Sequence, residues 1–279
     1  MNTTTIPPAG PPAPPAPPAP PARRAPVAAA VQQSLTLTWR SVVKIKHVPE
    51  QLLDVTLQPV IFILLFVFVL GGGLFGDWHS ALQYMLPGIL VQTVVFATMG
   101  IGVGLNTDLT KGIFDRFRSL PIGRPAPLVG AVLGDAVRYT LSGGTVLAFG
   151  MVLGFRIHTN PLAALAAFAL VVVFALAVCW IAALVGIVAK TPESVQGLAF
   201  LVMFPLTFGS NIFAATSTMP GWLQAWVKVN PISHIVTAER GLLLGGPAAW
   251  PALQALAWAA GIAAVFFPLA VAAYRRRSS

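Results

Sequence analysis

Between two long apolar stretches the chain carries the run Asp108, Leu109, Thr110, Lys111, Gly112, Ile113, Phe114, Asp115, Arg116, Phe117, Arg118, Ser119, Leu120, Pro121. Leu109, Ile113 and Phe117 recur every four residues, which predicts a short helix with one apolar stripe, charge on its other faces and Pro121 just past its end. A short helix outside the bilayer cannot bury that stripe alone. It needs a partner protein or the membrane surface. Asp108, Leu109, Lys111, Gly112, Ile113, Asp115, Arg116, Phe117 and Arg118 are therefore the first candidates for a docking site, with a passive interfacial helix as the plainer alternative.

A second group lies inside apolar sequence. Asp135 and Arg138 are three apart and share a helix face. A lone charge at the bilayer centre costs about 2.5 to 3.5 kcal/mol on the insertion scale, so the pair is either functional or self-neutralising near the inner interface, where Arg138 would snorkel and fix the depth of its helix. The second is the simpler reading. Gln92, Thr93, Phe204, Phe208 and Asn211 could line a route for an amphiphile, against ordinary interhelical packing. Gly71 to Gly73 and Gly100, Gly102 and Gly104 fit close helix packing better than ligand approach.

Signatures of enzymes are thin. His47, His79, His158 and His234 are scattered, and none forms the His pair with an intervening Glu of a zinc hydrolase. The Lys190–Thr191 pair follows Ala189, where a phosphate-cradling loop would place glycine, so ATP hydrolysis is not expected of this chain. The single cysteine, Cys179, reads as a packing residue and leaves no disulfide framework or thiolate metal site.

The elements that must position these residues follow from composition. Of 279 residues, 56% are apolar and only 9% charged, against about 25% charged in soluble domains. The chain is too apolar to be disordered as a whole. Residues 7–26 hold a proline-rich PPA-type repeat, which favours polyproline II, so 1–33 is set aside as a tethering tail and 34–279 is taken as one membrane domain. Leu35, Trp39, Val42 and Val43, with Arg40, Lys44 and Lys46 on other faces, predict an amphipathic interfacial helix ending near Pro49. Six segments then reach the ~20 apolar residues a crossing needs: 55–75, 84–105, 127–154, 161–189, 195–214 and 248–273. The fold class is an all-α polytopic membrane protein.

Of the 17 Lys and Arg, 13 fall on the face holding both termini and three on the other, with Arg138 left over. The positive-inside rule puts both termini in the cytoplasm of a multi-pass cell-membrane protein. The formal charge of +9 thus reports topology and contact with anionic lipid, and nucleic acid is not expected as a partner. The connection 215–247, with Pro220, Gly221, Trp222, Trp226, Lys228, Asn230, Pro231 and Arg240, suits the outer interface and leaves room for a re-entrant hairpin.

At Lys111, Gly112, Arg116, Phe117, Arg118, Ser119, Leu120 and Pro121, and again at Pro220, Trp222, Asn230, Pro231 and Arg240, the sequence resembles an ABC exporter permease of the type-2 ABC transporter membrane family, daunorubicin/doxorubicin-resistance type. The resemblance spans about residues 34–277. It implies six transmembrane helices with an N-terminal interfacial helix, a cytoplasmic coupling helix at 108–118 and short outer helices before the last span. It also implies a second permease chain, as homodimer or heterodimer, and separate ATP-binding cassette ATPase subunits that hold the ATP and Mg, with no cofactor on this chain. Many relatives have an acidic residue before the Lys-Gly pair; here it is Thr110.

The expected function is export of hydrophobic or amphiphilic compounds, drugs or secondary metabolites, driven by that partner's ATP. Lipid or polysaccharide export is a neighbouring alternative. A proton-coupled secondary transporter using Asp135 and Arg138 is an alternative of another class. It is disfavoured by sparse intramembrane charge and by the lack of a repeat between the two halves of the chain. An intramembrane enzyme or a scaffold is a third, without a nucleophile–base pair to support it.

Overall fold

The structure, a computed structural model, describes residues 57–111 and 126–277. The N-terminal tail, the expected interfacial helix and residues Gly112 to Arg118 of the expected coupling helix lie outside the described residues. Regular structure among those described is entirely helical. In chain order the helices are α1 (Leu57–Phe75), α2 (Trp78–Ala97), α3 (Met99–Thr110), α4 (Ala126–Val152), α5 (Pro161–Val188), α6 (Pro192–Phe208), α7 (Gly221–Val229), α8 (Pro231–Leu244) and α9 (Ala249–Arg277).

Local sequence explains the starts. Asp77 caps α2, its carboxylate accepting from the Ser80 amide at 2.8 Å. Asn160 and Thr191 do the same for α5 and α6, each followed by proline at the first helical position, where the missing N–H costs nothing. Asn230 caps α8 ahead of Pro231 in the same way. The α5–α6 turn is consequently tight, with Ala189 extended and Thr191 already capping. Inside α1, Leu64–Leu70 is π-helical and runs directly into the Gly71–Gly73 turn.

Among the described residues, four stretches are long and apolar enough to cross a membrane: Leu57–Phe75, Trp78–Thr110, Pro161–Val188 and Ala249–Arg277. The other two expected spans are also helices. The first of these, α4, carries Asp135 and Arg138, and α6, at 17 residues, rises only about 26 Å. The second expected span is longer than its hydropathy suggested, because the helix starts at Trp78 and continues past a break at Thr98 to Thr110.

The hub is α5, which packs against α2, α3, α4, α6, α8 and α9. Its crossing with α3 is backbone on backbone: Gly186 lies against the Gly102 main chain and Gly102 against the Ala182 carbonyl, leaving no room for a Cβ at either. Small residues allow that approach where dispersion must hold helices together. Gly104, by contrast, faces open space. The α2 segment from Ala81 to Val95 is buried nearly throughout. Outward faces of α1, α6 and α9 expose large apolar side chains such as Leu65, Phe68, Leu201, Val265 and Leu269, a surface that suits hydrocarbon and not water. The chain is a multi-pass membrane protein.

Candidate functional site

The end of α3 carries the first residues of the expected docking segment. Asp108 and Leu109 are in its last turn and Lys111 follows as its exposed C-cap, so these residues extend a membrane helix instead of starting a separate one. Leu109 is partly buried against the core. Two contacts fix α3 to its neighbours. Fully buried Asn106 donates through Nδ2 to the carbonyls of Gly186 at 2.9 Å and Ala189 at 2.8 Å, satisfying the open C-terminus of α5. Sequence reasoning passed over Asn106; an amide at the end of the Gly100, Gly102 and Gly104 run was the signal available.

The second contact is at the α2–α3 break. Thr98 turns its hydroxyl back to the Val95 carbonyl at 2.6 Å, and Arg138 of α4 donates to the Ala97 carbonyl. Gly100 lies directly against that guanidinium, with no space for a side chain. Asp135 and Arg138 do meet, but at 3.7 Å, and Asp135 Oδ2 accepts no hydrogen bond. The guanidinium is committed first to a backbone carbonyl and only loosely to the carboxylate.

The residues set down as an amphiphile route divide. Phe204 and Phe208 stack at 4.3 Å and belong to a closed ladder of rings. It runs from Phe208 to Phe213 at 5.4 Å, on to Phe66 at 4.2 Å and Phe62 at 5.8 Å, and returns through Phe96 and Phe200. Five of its members escaped the sequence reading, although Phe62 and Phe66, and Phe200 and Phe204, stand at helical spacing. Gln92 and Thr93 are buried in α2, and neither amide atom of Gln92 has a partner. Asn211, beyond the end of α6, donates through Nδ2 to the Thr237 hydroxyl at 3.0 Å.

At the opposite end the 215–247 connection holds two successive helices, α7 and α8, that meet at Asn230. In α7, Trp222 is 74% exposed and Val227 faces inward. Asn230 Nδ2 donates to the Leu206 and Gly209 carbonyls at 2.7 and 3.1 Å, tying their junction to the end of α6. Arg240 donates through Nε to the Tyr84 carbonyl at 2.9 Å, and through Nη2 to Asn211 at 2.9 Å and Ile212 at 2.8 Å. Its guanidinium also lies 3.7 Å from the centre of the Tyr84 ring. Burial pulls this guanidinium down to about 10, still well above neutral pH, so the cation persists. Beside it in sequence, Glu239 is fully buried with neither oxygen paired, and burial pushes its carboxyl well above the usual range.

Comparison with known proteins agrees with this architecture. The chain is 44% identical over 252 residues, 90% of its length and 89% of the relative's, to a daunorubicin resistance ABC transporter permease protein of Streptomyces coeruleorubidus. A doxorubicin resistance ABC transporter permease protein of Mycobacterium tuberculosis is 30% identical over 62% of this chain and 60% of its own. An inner membrane transport permease of Escherichia coli is 25% identical over 67% of this chain and 74% of its own. Residues 32–244 match the ABC-2 type transporter family, and on that span together with the 44% relative the chain belongs to it.

Proposed function

We propose that this chain is the membrane permease subunit of an ATP-driven exporter that moves hydrophobic or amphiphilic compounds, drugs or secondary metabolites, out of the cell. The relatives named for daunorubicin and doxorubicin resistance support that substrate class. In this reading the chain crosses the membrane six times with both termini in the cytoplasm, pairs with a second permease chain, and takes its energy from separate ATP-binding subunits that hold ATP and Mg. Residues 108–118 are the contact with them. Phe204 and Phe208, with the ladder around them, border the path, and Gln92, Thr93 and Asn211 are its polar positions.

The observation that carries the reading is the rigid seating of α3. A helix held to α5 by Asn106 and a glycine crossing, with Gly100 at its start packed against the Arg138 guanidinium of α4, carries the first residues of the segment proposed to meet the ATPase. Displacement of that segment moves the bundle, which is what a nucleotide-driven change needs if it is to bias two conformations of the membrane domain. A proton relay through Asp135 and Arg138 draws less support, since Arg138 is engaged with the Ala97 carbonyl.

The test is purification of the tagged protein from native membranes, mass spectrometry of what accompanies it, and transport in vesicles. Recovery of an ATP-binding chain and ATP-dependent movement of a hydrophobic dye are expected. Transport that needs a proton gradient and no ATPase would overturn the proposal.

A further inference from the structure

The end of the bundle that carries Lys190 contains an apolar groove of about 470 Å³, within the roughly 300 to 1,000 Å³ common to ligand sites. Leu184, Val185 and Val188 of α5 form one wall and Leu198 of α6 the other, with Lys190 and Ser194 at the rim. Val188 is 68% exposed, and Leu198 and Leu201 of α6 are exposed apolar side chains as well. The cavity is therefore greasy along its length and polar only at its mouth.

The charge at that mouth is positive. Lys190 is exposed, and the last turn of α9 brings Arg277, which donates to the carbonyls of Ile187 and Ala189, the latter at 3.2 Å. Glu193 of the same turn is exposed and ionised, its own backbone amide and the Thr191 hydroxyl holding its carboxyl below the usual range, so Lys190 and Arg277 leave a net excess of one positive charge. An apolar slot with Lys190 on its lining and a net positive charge around it suits a hydrocarbon chain under a negative headgroup.

We propose that the α5–α6 groove binds an anionic phospholipid of the inner leaflet, with an acyl chain between Leu184, Val188 and Leu198 and the phosphate against Lys190. The leaflet rests on the proposed orientation; the site itself does not. A soluble ATPase does not reach the apolar depth of the groove. A two-fold contact between permeases here would set one Lys190–Arg277 rim against another, like charge on like.

The test is native mass spectrometry of the full-length protein titrated with dioleoyl phosphatidylglycerol or dioleoyl phosphatidylcholine. Wild type retains the anionic lipid more strongly. Lys190→Gln, at an exposed position that does not threaten folding, weakens phosphatidylglycerol about fivefold and leaves phosphatidylcholine unchanged. Val188→Trp, which fills the slot, weakens both. Equal retention of the two lipids by wild type, or unchanged phosphatidylglycerol binding by Lys190→Gln, overturns the site. So does efficient crosslinking of Val188→Cys between two copies, which assigns the groove to a permease interface. No nucleotide or exported compound is present, so failure of the transport reading leaves this result untouched.

Discussion

Arg240 satisfies three carbonyls from two separate segments, Tyr84 of α2 and Asn211 and Ile212 beyond α6. Removing it takes three charge-assisted hydrogen bonds away at once and leaves the Ile212 carbonyl without this donor, at about 1 to 3 kcal/mol for a buried acceptor left unmade. Arg240→Ala is expected to destabilise the protein by about 3 kcal/mol or more, with Arg240→Lys in between because a point cation cannot span the same fork. Thermal unfolding in detergent measures this, and a melting temperature equal to wild type for Arg240→Ala would contradict it. Its neighbour Glu239 behaves in the opposite sense. Because burial raises its folded-state pKa above the unfolded value of about 4.3, its burden on stability is absent below that pH and grows as the pH rises. Glu239→Gln should therefore gain on wild type as the pH rises above that unfolded value, whereas parallel pH profiles for the two proteins would show that the carboxyl is not held neutral.

At the scale of the element, α3 decides how the proposed contact with an ATPase is used. Replacing Ile113 and Phe117 with Asp is expected to abolish ATP-dependent transport or to lose the ATPase on purification, with the protein still in the membrane. Full transport by the double variant would remove 108–118 from the docking role. The same element shows what was legible beforehand. The apolar length of α5 was readable, and the helix runs Pro161–Val188 against an expected 161–189. The extension of α2 back to Trp78 was not, because Gln83, Tyr84 and His79 dilute its hydropathy while Asp77 caps it locally. The partners of Arg138 were hidden for a different reason. Sequence pairs a cation with the nearest acid, Asp135, but a helix break at Thr98 offers a closer acceptor, and breaks of that kind carry no residue-type signature. Phe204 and Phe208 drew attention as aromatic positions in an apolar span; the rings from α1 and α2 that complete the ladder needed tertiary structure.

For the whole molecule, the separation of charge is the property that governs insertion. The cytoplasmic orientation proposed for both termini predicts that cysteines introduced at Trp222 on α7 react with impermeant reagents from outside the cell, and cysteines beside Arg276 only after permeabilisation. The buried native Cys179 gives little background in such labelling. The reverse pattern would invert the topology and with it the direction of transport. Deleting residues 1–30 should leave transport largely intact if the proline-rich tail is a tether, and loss of assembly on that deletion would give the tail a structural role.

The bundle is fastened in a particular way. Asn106, Arg138, Asn230, Arg240 and Arg277 all grip main-chain carbonyls of other segments, and the α3–α5 crossing is glycine on glycine. A carbonyl is offered by any residue type, so a mutation at Ala97, Leu206 or Ile212 can change the side chain without removing what is gripped. The frame is thereby insulated from divergence of the surfaces it supports, and an exporter built this way can acquire new cargo by altering its lining while a handful of polar residues hold the architecture constant.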